Sequence, residues 1–213
     1  MTLAAADGFR LARARLSEVS ASPMQLLVPA KAVSELGRLL GDAETVRLIP
    51  TEGSRGVCFV VGETTLFTCL IEGRFPDVDR VIPKEITAHV TVETASFQQA
   101  IRGAALFGGN ADARPVVLEV SQGCLHVRAR GDDTGDAEAD LTAELDGELP
   151  PIAVNTRLLV DALDATSAAR IQISWSSSHT PIVLREEGRE DSAAVVIIMP
   201  LADSALTRPA VAA

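Results

Sequence analysis

The chain has 213 residues, 47% of them hydrophobic and only 3% aromatic, with a net charge of −10. That length allows one large domain or two small ones, over a core that must rest on Val, Leu, Ile and Ala. The acidity argues against a chain coated in nucleic acid, and the longest apolar runs, such as residues 193–199, are far too short to span a bilayer. Asp7, Arg10, Arg13 and Arg15 interrupt any signal-like stretch, so a cytoplasmic protein with no membrane contact is expected. Cys58, Cys69 and Cys124 stand singly in strand-like segments, which predicts small buried hydrophobes rather than a disulfide framework or a zinc site.

In chain order, LAAADGFRLARARL (residues 3–16) is a strand-like tail. LLVPAKAVSELGRLLGDAETVRLIP (residues 26–50) reads as a short apolar strand, a helix over 30–41 and an alternating strand. On that helix Val33, Leu36 and Leu40 form an apolar face, and Lys31, Glu35 and Arg38 share another. Two further strands follow, VCFVVG and TTLFTCLI, and then a turn-rich, charged segment over residues 76–86 that marks a domain boundary. HVTVETA is a strand by its period of two, followed by a helix over 96–107 with Phe97, Ile101 and Ala104 on one face and Gln98, Gln99 and Arg102 off it. PVVLEVSQG and CLHVRARG form a hairpin, GDDTGD turns the chain, and AEADLTAEL returns as a strand.

PIAVNTRLLVDALDATSAARIQIS (residues 151–174) then repeats the pattern of residues 26–50, with Asn155 in the place of Pro29, Arg157 of Lys31 and Asp161 of Glu35. Its strands are PIVLREE and AAVVIIM. Residues 88–201 therefore hold two consecutive strand–helix–strands units, and residues 1–83 hold one. An α+β fold of paired, similar halves is expected: a half domain over 1–83, a complete domain over 84–203, and a small, apolar, disordered tail over 204–213.

Three stretches carry a resemblance to a known family. ADGFRLA (residues 6–12) is similar to the TDG[FH]RLA signature of bacterial DNA sliding clamps, the beta subunit of DNA polymerase III. IEGRFPDVDRVIP (residues 71–83) resembles that family's connector, and IIMPL (residues 197–201) its C-terminal ending. The departures are Ala6 for threonine, Val78 for tyrosine, and Ala202 and Asp203 where Arg-Leu is usual. The resemblance implies the DNA-clamp fold, in which helices line a hole around duplex DNA and sheets form the outside. On that template residues 1–83 are the second half of the middle domain and residues 84–203 the C-terminal domain.

Two surfaces follow from the resemblance. Lys31, Arg38, Arg102 and Arg157 would face DNA. They stand beside only three acids, Glu35, Asp161 and Asp164, so most of the acidity lies elsewhere, which suits weak, non-specific contacts with a duplex that must slide. The second surface is a cleft that takes short linear peptides of DNA polymerase III, clamp-loader and repair proteins. Its wall would be Gly8, Phe9, Arg10 and Leu11; Pro76, Arg80 and Val81; Asn155; and Ile198, Met199, Pro200 and Leu201. Flexible Met and branched aliphatics suit apolar anchors. Taken singly, Leu11, Val81 and Ile198 also fit core positions, and Gly8 a turn.

No nucleophile elbow, HExxH, Walker loop or GxGxxG occurs, and His89, His126 and His179 are scattered without ligand spacing. The acid-rich residues 132–148 read as solvated turns and a strand's outer face. No catalytic residues, metal or cofactor are expected. The function implied is a truncated processivity clamp; the alternative is an adaptor that competes with a full clamp for partners without encircling DNA. A half domain leaves its helix and sheet edge uncovered, so two copies are expected to pair through residues 1–83.

Overall fold

The structure is a computed structural model that describes residues 1–206 apart from 17–23, 52, 54, 84, 85, 87, 108–114, 132–134 and 189–193. The N-terminal tail is a hairpin rather than one strand. Thr2–Ala6 (β1) pairs antiparallel with Arg10–Arg15 (β2), from Thr2 opposite Arg15 to Ala6 opposite Leu11. Gly8 turns the chain at φ 87°, a conformation that disfavours a Cβ. Asp7 accepts the backbone N–H groups of Phe9 and Arg10, each at 3.1 Å, through one carboxylate oxygen.

Two compact units follow, one of residues 20–77 and one of residues 1–19 with 78–213. The smaller carries Ala30–Leu40 (α1) and a three-stranded sheet of Arg47–Pro50 (β3), Gly56–Val61 (β4) and Thr64–Cys69 (β5). Val57, Phe59 and Val61 form its buried face. Residues 26–28 are not a strand, although the carbonyl of Leu27 accepts the N–H of Ile71 at 2.8 Å. No residue of α1 is buried: Leu36 and Leu40 are half-covered and Val33 is 51% exposed. Cys69 is also exposed and Cys58 half-buried, so these thiols are not core hydrophobes.

The larger unit contains the expected pair of halves. His89–Glu93 (β6), Thr94–Ala105 (α2), Pro115–Ser121 (β7), Cys124–Gly131 (β8) and Gly135–Asp146 (β9) form the first. Ile152–Asn155 (β10), Thr156–Asp164 (α3), Arg170–Ser174 (β11), Ile182–Glu186 (β12) and Val195–Ile198 (β13) form the second. Gln122 and Gly123, both at positive φ, make the two-residue turn that twists β7 correctly onto β8. The halves interlock through their first strands: β6 pairs with β11, and β10 with β7. The resulting strand order is β1-β2-β13-β12-β11-β6-β9-β8-β7-β10.

The helices cover one face of this sheet. Phe97, Ile101 and Ala104 of α2 and Leu159, Ala162 and Leu163 of α3 are buried with Val90, Val116, Leu118, Leu125, Ile152 and Ile173. Each fully buried large side chain contributes about 1.5–3 kcal/mol. A second, smaller cluster of Leu11, Ile82, Val183, Val195 and Ile197 lies where the hairpin meets β13. The connector's 3-10 turn, Val78–Arg80, packs Val78 against it. The tyrosine-to-valine departure thus stands at an apolar seam. The expected tail over 204–213 lies outside the described residues from 207 onward; Asp203–Ala205 forms a 3-10 turn.

The candidate peptide cleft

Strand β13 brings the separate segments of the site together. Along Val195–Ile198 it pairs antiparallel with β2, with Ile197 opposite Leu11 and Ile198 opposite Arg10. One residue further, the N–H of Met199 donates to the carbonyl of Phe9 at 2.8 Å. The chain then changes partner: Pro200 bridges Val154, and the N–H of Leu201 donates to Ala153 at 2.8 Å. Residues 198–201 are thereby bound on one side to the Gly8 turn and on the other to β10. Strand β10 runs directly into Asn155, which caps α3 by accepting the N–H of Arg157 at 3.0 Å.

The connector reaches the same place. Arg13 of β2 donates to Asp79 at 2.7 Å, and the N–H of Val81 donates to the carbonyl of Val78 at 3.1 Å. Of the wall residues, Gly8, Phe9, Arg10, Leu11, Arg80, Val81, Asn155 and Ile198, Met199, Pro200 and Leu201 thus belong to one compact unit, and Pro76 to the other. Phe9 (68% exposed), Val81 (43%) and Met199 (42%) offer apolar surface to solvent. Leu11 and Ile198 are buried, so they support the wall from beneath rather than line it.

Arg10 is fastened at the rim. Its Nη1 donates to Asp161 of α3 at 2.5 Å and its Nε to Asp7 at 2.9 Å. The hydrogen bond that Arg10 donates to Asp161 raises the guanidinium pKa further, against the opposing effect of burial. Burial also disfavours the charged form of Asp7, but the Phe9 N–H and Arg10 outweigh it and leave its pKa below the ordinary value. Asp161 appeared in the sequence only as an acid of the third helix. A contact across 151 residues leaves no local signal of its own.

The basic helix residues are unequally engaged. Arg38 pairs with Glu35 at 2.8 Å, and Arg102 reaches Asp164 at 2.7 Å. Gln98, at 2.6 Å, and Arg102 both donate to Asp164 and lower its pKa. Lys31 and Arg157 form no ion pair among the described residues. The acids of strand β9 lie on its outer, solvated face as expected, and Asp136, Glu138 and Asp140 also pair across to Arg130, Arg128 and His126. His126 is also hydrogen-bonded to Ser121 at 2.8 Å, a chain of side chains on adjacent strands that spacing along the sequence did not reveal.

Comparison with known proteins decides the family. Residues 1–77 match the DNA polymerase III beta subunit central domain, and residues 79–201 match its C-terminal domain. The chain belongs to the DNA polymerase III beta subunit family. The beta sliding clamp of Pseudomonas putida is 30% identical over 197 residues, 92% of this chain and 53% of the relative. The beta sliding clamp homolog GriR of Streptomyces muensis is 27% identical over 94% of this chain and 55% of its own length. The chain therefore spans about half the length of the curated relatives it matches. Among solved structures, the Pseudomonas aeruginosa sliding clamp bound to griselimycin superposes with a TM-score of 0.83 at 26% identity, covering 94% of this chain and 54% of that one. The α+β clamp fold is thereby established. Strands β1 and β2 lie on the central-domain side of the family's division, yet β2 hydrogen-bonds to β13 of the C-terminal domain.

Proposed function

We propose that this chain is a non-catalytic processivity-clamp protein of DNA replication, cytoplasmic, whose cleft at Met199 takes short linear peptides from DNA polymerase III and clamp-loader subunits. The observation that carries this reading is the change of partner along residues 198–201, which joins motif segments 6–12 and 197–201 to β10 in one partly apolar wall, with the connector held to β2 by Arg13 and Asp79. Met199, Phe9 and Val81 supply adaptable apolar contact, and Arg80 and strand-end backbone groups supply polar contact. Pro76 is assigned to the wall by its motif alone. The domains take the division drawn from the sequence, with residues 1–83 as the second half of the middle domain and 84–203 as the C-terminal domain. Lys31, Arg38, Arg102 and Arg157 face duplex DNA in this reading. With Arg38 and Arg102 already paired to acids, contact with phosphates is weak and falls with salt.

The test is titration of a fluorescent clamp-binding peptide into the wild type and into a Met199→Ala, Arg10→Ala double variant. Saturable binding by the wild type and at least about tenfold weaker binding by the variant is the expected result. Equal affinities would remove the cleft from this account.

The pairing of two copies through residues 1–83 is part of the same proposal. Val33 and Leu39 stand exposed on α1, whereas α3, which repeats its sequence pattern, buries Leu159 and Leu163. Analytical ultracentrifugation is expected to show a concentration-dependent dimer; a folded monomer throughout the micromolar range would end the idea.

A further inference from the structure

We propose that Asp161, with Asp7, sets the charge preference of the cleft by holding Arg10 as a neutralised wall, so that the rim disfavours an acidic residue in the bound peptide. The inference rests on the peptide-cleft reading and adds its selectivity. An arginine at a peptide site is ordinarily a bidentate receptor for carboxylate. Here two of the five N–H donors already serve aspartates: Nη1 is held by Asp161 at 2.5 Å and Nε by Asp7 at 2.9 Å. Asp7 cannot swing away freely, because its other oxygen accepts the N–H groups of Phe9 and Arg10 at 3.1 Å each.

The local sum is one guanidinium against two carboxylates, a net negative rim beside Met199. Side-chain exposures of 35% for Arg10 and 46% for each aspartate leave the cluster in reach of an incoming peptide without stripping it of solvent. A peptide carboxylate reaching Arg10 meets two carboxylates beside the one guanidinium, whereas a neutral amide does not carry that repulsion. Asp161 is thus a positioning residue: it acts through Arg10. It also ties β2 to α3, so the charge setting and the placement of the wall share one contact.

The test uses two fluorescein-labelled peptides with the same apolar anchors, differing only in Asn or Asp at the polar position beside them. Fluorescence anisotropy is read for the wild type, Asp161→Asn and Asp7→Asn, with Trp175 emission confirming that each variant is folded. The wild type is expected to bind the Asn peptide about three- to fivefold more tightly, the size of one partly exposed charge. Either variant should erase or reverse that ratio, and added salt should shrink the wild-type ratio. A merely structural role for Asp161 would weaken both peptides alike. Binding to both peptides with the same ratio in all three proteins overturns the inference and leaves the cleft intact. Failure of the folded wild type to bind either peptide overturns both.

Discussion

Phe97→Ala is expected to destabilise the larger unit by about 3–5 kcal/mol, the range for deleting a buried aromatic side chain and leaving its cavity. Phe97 is fully buried on α2, and its neighbours come from both halves of the unit. Relaxation around it is restricted because Ile101 and Ala104 hold the same helix face onto the sheet. Against a domain stability of about 5–15 kcal/mol, the loss is a large share of the total. Trp175, the only tryptophan, makes the measurement specific. It is buried in this unit, with its indole N–H donating to Pro150 at 2.7 Å. Urea unfolding followed by Trp175 emission should show a lower midpoint with an unchanged slope. A loss below about 1 kcal/mol would mean that α2 does not close this core.

Leu11→Asn is expected to release the N-terminal hairpin from the sheet while the larger core survives. Leu11 stands in the small cluster with Ile82, Val183, Val195 and Ile197, separate from the cluster that holds Phe97. An amide there finds an apolar environment and leaves a void, at a cost of about 3 kcal/mol or more. Among the described residues the hairpin joins the sheet along β2, at four paired positions from Val195 opposite Arg13 to Ile198 opposite Arg10. Amides of β2 should therefore exchange much faster, with Trp175 emission close to that of the wild type. Since Phe9 and Arg10 leave Met199 together, peptide binding should fall as well. Unchanged protection of β2 would contradict the assignment of Leu11 as the anchor of the hairpin.

Much of this was legible in the sequence because it is written in short periods. The 3-4 spacing of Phe97, Ile101 and Ala104 matches a buried helix face, and the PVVLEVSQG–CLHVRARG pair matches a hairpin whose turn needs positive φ at Gln122 and Gly123. The motif segments 6–12 and 197–201 lie on neighbouring strands, although nothing local says that β2 lies on the edge of β13. What remained hidden depends on distant partners. Asp161 was counted among the acids near DNA, and only the folded chain turns it towards Arg10. His126 was read as solitary, because cross-strand neighbours such as Asp140 lie 14 residues away along the chain.

The most direct test of the clamp reading is methyl and amide NMR mapping of the clamp-binding peptide on this 213-residue chain. The account predicts saturable shifts at Met199, Leu201, Val81 and the Phe9 amide, with Val57 and Val61 of the smaller unit unmoved. Shifts confined to residues away from Met199, or a folded protein that shows none, would contradict it.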